Sequence, residues 1–396
     1  MKSKFLIAIV DQFGFSISSF LFFIYVARNT NVEQLAEFSV CVALSILFQG
    51  VQRNLIIIPL MTSGFLCSNR RFNYYYSFST FLSVFISFLA IFIFILYALY
   101  TDADVFINVV FVFLYVFCSW NYEFKRRRCW LLLDYKAIFQ SVFLLIFTLS
   151  FFCLFLDSSK YVIFYYPLSL LVAVIPFGFK EKVHSISVGS FLKRFKERKF
   201  EISSGFLYGF YNNFLIVLSG LFFGPASAAF YSVARNLLQP VQVLISAIDS
   251  FDKKDLSLGY HKYGVKFLFS SILRMSLICL FASFLYFIVI FYNYSFLNEF
   301  LFDGKYVDIE RLLLLSFFSY VFMIFGHFLE NGLYICKLGE SLFFNRLAAS
   351  ITSFFILLLA SGFFGYFSIP LAMLAGWFVI VLFSLKIILN KVTYEG

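Results

Sequence analysis

The chain has 396 residues, of which 62% are hydrophobic and only 13% are charged, whereas an ordinary soluble domain is about 45–50% apolar and about 25% charged. This composition excludes a soluble globular protein and indicates an integral membrane protein. The net charge of +10 would suggest nucleic-acid binding in a soluble chain, but in a membrane protein the basic residues first report which loops are cytoplasmic.

Long apolar runs follow one another along the whole chain. A membrane-spanning helix needs about 20 mostly apolar residues, and clusters of charged or turn-forming residues separate twelve such runs. Their predicted limits are 5–27, 36–61, 75–100, 104–124, 137–156, 161–179, 201–223, 226–251, 265–292, 310–336, 341–362 and 365–389. The sequence therefore predicts an all-α membrane protein with six helices in residues 1–179, a basic cytoplasmic linker at 180–200 and six helices in residues 201–396.

The basic residues divide unequally between the two sets of loops. If the N-terminus is inside, 24 of the 31 Lys and Arg residues lie in inside segments, four lie outside and three lie within spans. Cytoplasmic loops carry the excess of Lys and Arg, so both termini are predicted to be cytoplasmic. On this topology the run KRRR at 125–128 is expected to lie beside anionic lipid headgroups, and nucleic acid is not an expected partner.

Polar residues interrupt the first two predicted spans, and a hairpin of these spans brings two of them, Asp11 and Arg53, to similar depth. Asp11 lies in the first span, and Gln52 and Arg53 lie in the second. A charged side chain at mid-bilayer costs about 2.5–3.5 kcal/mol on insertion scales, so it normally faces protein or a water-filled cavity. A hairpin of the two spans predicts an ion pair between Asp11 and Arg53. Two roles stay open for it: a structural pair between helices, or a pair that lines a cavity.

Span eight carries an arginine without an acidic residue opposite it. A hairpin of spans seven and eight places Arg235 opposite Asn212 and Asn213, close to the midplane. Because these neighbours are amides, the guanidinium is predicted to be available for an anionic ligand. Pro240, five residues later, interrupts the same span and is interpreted either as a hinge or as a static kink.

Spans nine and ten add further polar candidates. Arg274 is predicted to lie level with Gln242 of span eight across the next hairpin. Glu330 in span ten is predicted either to carry a coupling proton or cation or to neutralise a nearby arginine. Asp249 in span eight is the third acidic candidate, besides Asp11 and Glu330.

The sequence lacks the signatures of the common enzyme and metal classes. It has no HExxH, GxSxG, GxxxxGK or GxGxxG stretch, and its seven cysteines show no CxxC spacing. We therefore expect no disulfide, metal, cofactor or enzymatic activity. One fragment, TDAD at 101–104, resembles the acidic pair of membrane glycosyltransferases; the alternative is a solvated turn at the tip of a short outer loop.

Two stretches, VDQFGFSISSFLFFIYVARNTNVEQLAEFSVCVALSILFQGVQRNLIIIP and LSGLFFGPASAAFYSVARNLLQPVQVLISAID, carry a family pattern. Its residues here are Asp11, Gln12, Ser19, Phe20, Ala27, Arg28, Phe38, Gln52, Arg53 and Pro59, then Gly224, Ala229, Tyr231, Arg235 and Pro240. The pattern resembles the polysaccharide-export, or O-antigen (Wzx-type), flippases of the multidrug/oligosaccharidyl-lipid/polysaccharide (MOP) superfamily. The chain departs from it at Glu37, near a position where the family usually has a glycine, and in a length that fits twelve spans rather than fourteen.

The resemblance implies a V-shaped pair of six-helix bundles around a central cavity that opens alternately to each side. It implies that the protein flips an undecaprenyl-diphosphate-linked oligosaccharide, an O-antigen or capsule repeat unit for lipopolysaccharide and polysaccharide biosynthesis, from the cytoplasmic to the outer leaflet of the bacterial inner membrane. The implied partners are this lipid-linked oligosaccharide, membrane lipids, a polysaccharide polymerase and chain-length proteins.

Arginines and amides in a cavity suit such a substrate, because a guanidinium binds a diphosphate through charge-assisted hydrogen bonds. The predicted substrate-binding residues are Arg53, Arg235, Arg274, Asn212, Asn213, Gln52 and Gln242, and the predicted coupling or ion-pair residues are Asp11, Glu330 and Asp249. Two alternatives stay open. A cation or drug antiporter of the same superfamily would favour acidic cavity residues, and a membrane O-antigen polymerase, a glycosyltransferase, would need a larger outer loop.

Overall fold

The structure is a computed structural model of the chain. It describes residues 2–57, 60, 69–101, 103–156, 161–178, 189, 196, 199–307 and 309–395. The side chains of residues 2–9, 69–72, 249–255 and 394–395 lie outside the described part, and so does most of the predicted linker at 180–200. The described residues form helices joined by short turns, and they divide into two compact units.

The first unit comprises Met1–Gly209 and Gly224–Ala228. Its α-helices are α1 (Lys2–Asn29), α2 (Val32–Gln52), α3 (Asn69–Thr101), α4 (Val105–Leu132), α5 (Tyr135–Phe155), α6 (Tyr165–Ala173) and α7 (Lys199–Gly209). A π-helical turn, Arg53–Ile57, directly continues α2. Short 3-10 turns flank α6 at Val162–Phe164 and Ile175–Phe177.

Local sequence explains where several of these helices begin and end. Asn31 caps α2 in a capping box: its side chain accepts a bond from the Gln34 N–H at 2.7 Å, and the Gln34 side chain accepts one from the Asn31 N–H at 3.3 Å. The side chains of Asp104 and Asp134 cap α4 and α5 by accepting from the third N–H of each helix. Leu133, with φ of 58°, closes the turn between α4 and α5.

Helices α2 and α7 pack with their backbones in direct contact. A Cβ atom on Gly50 would lie 2.6 Å from the carbonyl oxygen of Gly205, and one on Gly205 would lie 2.8 Å from the Gly50 carbonyl oxygen. A Cβ atom on Gly209, one turn later, would lie 2.9 Å from the Leu47 carbonyl oxygen. This seam of small residues lets two apolar helices approach closely where hydrocarbon gives no hydrophobic drive for their association.

The second unit comprises Phe210–Phe223 and Ala229–Gly396. A π-helical turn, Phe210–Phe214, leads into its first helix. The α-helices that follow are α8 (Leu215–Phe223), α9 (Pro225–Leu237), α10 (Gln239–Tyr292), α11 (Tyr294–Phe302), α12 (Glu310–Ile335), α13 (Gly339–Phe364) and α14 (Ser368–Glu395). Helix α14 packs against both α12 and α13, and α10 packs against α12.

Helix α10 has 54 residues, far more than the roughly 20 that cross a bilayer. Gly264 breaks it, because its φ of 75° and ψ of −168° are not helical, and only glycine adopts such a backbone readily. The part after Gly264 corresponds to the predicted ninth span, and the part before it contains Pro240 and the end of the predicted eighth span.

Nine stretches in the described part of the chain are long and apolar enough to cross a membrane. Two shorter apolar helices, Val162–Phe177 and Gln239–Ile248, lie within the predicted sixth and eighth spans. The last stretch, Gly339–Thr393, contains both α13 and α14, which a 3-10 turn joins. The protein is therefore a multi-pass, all-helical membrane protein, while the count of twelve spans, the six-plus-six division and the cytoplasmic termini stay predictions.

Candidate functional site

Arg235 on α9 meets the two asparagines that the hairpin of spans seven and eight places opposite it. Its Nη1 donates to the main-chain carbonyl of Asn212, and its Nη2 donates to Asn213 Oδ1 at 2.7 Å. Both asparagines are buried, with 3% and 5% of their surfaces exposed, whereas Arg235 is half-buried. The guanidinium is therefore held from one side by groups of the second unit.

The π-helical turn Phe210–Phe214 explains this arrangement. Such a turn inserts one extra residue into a helix and changes the local hydrogen-bond pattern, and it recurs at functional sites. Asn212 lies at its centre, and its side-chain Oδ1 accepts a bond from Trp377 Nε1 at 3.1 Å. Trp377 is fully buried on α14 and meets the ring of Tyr211 edge-on, with centroids 5.3 Å apart. Trp377 thus positions Asn212, and Asn212 positions Arg235.

A tyrosine on α12 fixes the backbone of Arg235 as well. The Tyr320 hydroxyl donates to the Arg235 carbonyl at 3.4 Å and accepts from Gln242 Nε2 at 2.9 Å. Gln242 is one of the predicted substrate-binding residues, and it reaches Arg235 through this hydroxyl. We refer to Arg235, Asn212, Asn213, Trp377, Tyr320 and Gln242 as the Arg235 cluster.

The charge of the Arg235 cluster is uncompensated within the described structure. No carboxylate among the described residues lies within ion-pair distance of Arg235, and its partners are a carbonyl and an amide oxygen. A guanidinium has five N–H donors, and the bonds to Asn212 and Asn213 use two of them, so the group keeps donor capacity for a ligand. A half-buried cation with free donors is suited to bind an anion, since low local polarity strengthens charge-assisted hydrogen bonds.

The predicted ion pair between Asp11 and Arg53 is wrong. Asp11 on α1 is buried and faces α4, where its Oδ2 accepts from Trp130 Nε1 at 2.8 Å and its Oδ1 lies 3.6 Å from Arg126 Nη1. Arg126 also pairs with Glu123 Oε2 at 2.7 Å. Hairpin depth gives the level of a residue in the membrane but not the side of the helix it occupies, and Asp11 points toward α4.

Two residues of the KRRR run, Lys125 and Arg126, are buried in the first unit, whereas Arg127 and Arg128 are half-buried, and for these two a place beside lipid headgroups stays a prediction. Helix α4 continues through this run to Leu132, and Lys125 and Arg126 are 2% and 3% exposed. Lys125 Nζ donates to the carbonyl of Gly178 at 2.6 Å, and the Arg126 guanidinium lies 4.9 Å from the centre of the Phe15 ring. Both cations therefore lie in the interior of the first unit.

Gln52 and Arg53, neighbours at the end of α2, have different surroundings. Gln52 is buried, and its Nε2 donates to the Trp120 carbonyl at 2.8 Å and to Ser79 Oγ at 3.3 Å, so it joins α2 to α3 and α4. Arg53 is exposed at the start of the π-helical turn, and its side chain contacts no acidic group among the described residues. Of the two, only Arg53 presents its side chain for a ligand.

Glu330 on α12 forms a bidentate ion pair with Arg346 on α13. Arg346 Nε lies 2.7 Å from Glu330 Oε1, and Nη2 lies 2.8 Å from Oε2. The side chains are 2% and 7% exposed. Of the two roles left open for Glu330, the contacts fit neutralisation of an arginine, and they occupy both carboxylate oxygens.

One predicted residue, Arg274, stands apart from the Arg235 cluster. Arg274 on α10 is exposed, and the structure does not bring it to Gln242, whose amide bonds Tyr320. The side chain of Asp249 lies outside the described residues. The substrate-binding or coupling role of every predicted site residue stays a prediction.

The sequence did not reveal the partners of the predicted site residues. Trp377 and Tyr320 hold the Arg235 cluster, and Arg126 and Arg346 pair with Asp11 and Glu330. The two aromatic residues gave no signal, because the chain contains 63 Phe and 25 Tyr residues. Arg126 belongs to the KRRR run predicted beside the headgroups, and Arg346 lies near the start of the predicted span 341–362, yet both are buried. Apolar residues on both sides of Arg346, in FFNRLAAS, are the one sequence signal for its burial.

Comparison with known proteins gives the fold. No protein-family model and no curated protein matches the sequence. The structure is similar to a multidrug resistance MATE family transporter of the MOP superfamily in an inward-facing conformation, with a TM-score of 0.69, 12% identity and coverage of 96% of each chain. It is also similar to the lipid II flippase MurJ in an inward closed conformation, with a TM-score of 0.60, 13% identity and coverage of 96% of this chain and 87% of that one. A third similar structure is a MOP superfamily transporter from Pyrococcus furiosus, with a TM-score of 0.59, 12% identity and coverage of 97% and 94%. This chain therefore has the fold of the MOP superfamily transporters.

Proposed function

We propose that this protein flips an undecaprenyl-diphosphate-linked oligosaccharide, an O-antigen or capsule repeat unit, across the bacterial inner membrane by alternating access. The observation that carries the proposal is Arg235 on α9: a half-buried arginine in a chain with the MOP fold, held by amide and carbonyl oxygens and by no described carboxylate. Such a cation needs an anion, and a diphosphate supplies one.

The arrangement suits a ligand that binds and leaves. Asn212, Asn213 and Trp377 hold the guanidinium in one orientation before the ligand arrives, which lowers the entropy lost on binding. The remaining N–H donors bind the diphosphate oxygens, while the polyprenyl tail stays in the bilayer. The resemblance to polysaccharide-export flippases supports the same substrate class, and it adds the polymerase and chain-length proteins as proposed partners.

A cation or drug antiporter is the second candidate, because the MATE transporter in the comparison is described as a multidrug resistance protein. A cationic substrate or coupling ion requires an available carboxylate. In the described structure, however, Asp11 lies beside Arg126 and Glu330 is bound at both oxygens by Arg346. These pairs favour the anionic substrate. An O-antigen polymerase has less support, since the similar structures are transporters.

Binding to purified full-length protein separates the candidates. We expect undecaprenyl diphosphate in detergent micelles to bind wild type and to bind Arg235→Ala at least tenfold more weakly, because a hydrogen bond to a charged group contributes about 1.5–3 kcal/mol. Arg235→Lys should lose less affinity, as it keeps the charge but not the two-pronged geometry. The control is Arg311→Ala, which removes an exposed arginine at the start of α12.

The opposite result is equally informative. If an organic cation such as tetraphenylphosphonium binds and undecaprenyl diphosphate does not, the antiporter replaces the flippase. If undecaprenyl diphosphate binds wild type and Arg235→Ala equally, the Arg235 cluster is not the diphosphate site.

A further inference from the structure

The exposed face of α10 after Gly264 is a stripe of large apolar side chains with one arginine in it. Leu273, Leu277, Ile278 and Phe281 are 44%, 51%, 54% and 66% exposed, and Arg274 lies among them and is exposed too. These residues recur at the three- and four-residue spacing of one helix face. The opposite face of α10 packs against α12.

This apolar stripe faces the hydrocarbon of the lipid bilayer. The stretch Leu256–Tyr292 is long and apolar enough to cross a membrane, and only 28% of its apolar window is buried inside the protein. An aqueous wall would be lined by polar side chains, whereas the residues on both sides of Arg274 in this stripe are leucine, isoleucine and phenylalanine. Arg274 therefore lies on a lipid-facing surface.

The Arg274 guanidinium lies within reach of one headgroup layer. Arg274 follows Lys266 by eight residues, which is about 12 Å along a helix, and half of the hydrocarbon core is about 15 Å thick. Helical side chains tilt toward the N-terminal end of their helix, which is the end that carries Lys266 and Lys262, both exposed. A long arginine side chain that points this way brings its charge close to the lipid phosphates.

We propose that Arg274, with Ser270 and Lys266, binds the phosphate of an anionic phospholipid at the surface of the second unit. The three residues are spaced four apart, all are exposed, and they form a ladder from the hydrocarbon to the headgroup layer. Arg274 has no acidic partner among the described residues, so a phosphate oxygen pair is the anion within its reach, and a guanidinium binds it bidentately. The Ser270 hydroxyl donates one further bond, and Lys266 adds positive charge.

This site differs from the Arg235 cluster in place and in ligand, and it does not rest on the proposed function. Its test uses full-length protein in nanodiscs of phosphatidylcholine with a minor fraction of phosphatidylglycerol, and it measures by native mass spectrometry how much phosphatidylglycerol stays bound. No transport is measured, so the result is independent of substrate translocation.

We expect Arg274→Gln to retain about tenfold less phosphatidylglycerol than wild type, equivalent to about 1.4 kcal/mol. Arg274→Lys should retain an intermediate amount. The matched control is Lys386→Gln, which removes one exposed cation from α14 and should leave retention within twofold of wild type. Equal helix content by circular dichroism shows that the variants are folded.

Two results would overturn the proposal. Equal phosphatidylglycerol retention by wild type and folded Arg274→Gln would show that Arg274 does not bind a phospholipid. If Arg274→Gln loses added undecaprenyl phosphate and keeps phosphatidylglycerol, the face binds a polyprenyl lipid instead of a phospholipid.

Discussion

The ion pair between Glu330 and Arg346 predicts a large and strongly coupled loss of stability. Both side chains are buried, and two hydrogen bonds of 2.7 and 2.8 Å join them. Replacing one partner leaves the other charge buried and unpaired, which costs about 3–5 kcal/mol, whereas replacing both by apolar residues is often close to neutral. We therefore expect Glu330→Met and Arg346→Met each to lower the free energy of unfolding by about 3–5 kcal/mol.

The double variant decides between a paired and an independent role. Equilibrium unfolding in mixed detergent and dodecyl sulfate micelles measures the free energy of unfolding of wild type, both single variants and the double variant. We expect the double variant to be more stable than either single variant, with a coupling free energy of at least about 2 kcal/mol. The control Lys386→Met changes an exposed cation on α14 and should have little effect.

Additive losses in the double variant would refute the reasoning, because they would show that the two charges act separately. A single-variant loss below about 1 kcal/mol, the range of exposed ion pairs, would contradict the burial of the pair. Either result would return Glu330 to the candidates for a coupling proton or cation.

Three further predictions concern the seam, the cluster and the pair in the first unit. Gly205→Leu should lower the free energy of unfolding by about 1–3 kcal/mol, because a side chain there would clash with the Gly50 carbonyl. Thermal unfolding should show a lower melting temperature, and an unchanged melting temperature would contradict the backbone contact. Trp377→Phe keeps an aromatic ring, although a smaller one, and removes the 3.1 Å bond that positions Asn212. The affinity of the folded variant for undecaprenyl diphosphate should fall about threefold to tenfold, and unchanged affinity would rule out a positioning role. Asp11→Asn removes the carboxylate beside Arg126, so the free energy of unfolding, measured in mixed micelles, should fall by about 1–3 kcal/mol. An unchanged free energy of unfolding would show that Glu123 alone satisfies the arginine.

Composition and apolar runs were enough to predict an all-helical membrane protein, since each run of about 20 apolar residues must satisfy its backbone internally. The contact of Arg235 with Asn212 and Asn213 also followed from sequence, because two helices joined by the short turn at Gly224 are forced to be neighbours. For this contact, the level of each residue in the membrane was enough to predict its neighbours.

Depth was insufficient where a side chain faces a helix that is distant in sequence. Asp11 and Arg126 are 115 positions apart, as their residue numbers show, and a pairing of adjacent spans alone could not bring them together. The π-helical turn at Phe210–Phe214 and the bond from Trp377 to Asn212 depend on packing between α14 and the start of the second unit. Neither follows from hydropathy, which is blind to the side of the helix that a residue occupies.

The central claim is that Arg235 carries a lipid-linked diphosphate across the membrane, and the most direct measurement is translocation itself. Inside-facing lipid-linked repeat units in reconstituted vesicles become accessible to an external lectin or glycosidase when they are flipped. We expect wild-type vesicles to expose them, empty vesicles to keep them protected, and Arg235→Ala to lose at least tenfold in the rate of exposure. Exposure at the wild-type rate by folded Arg235→Ala, or at the same rate without the protein, would contradict the claim.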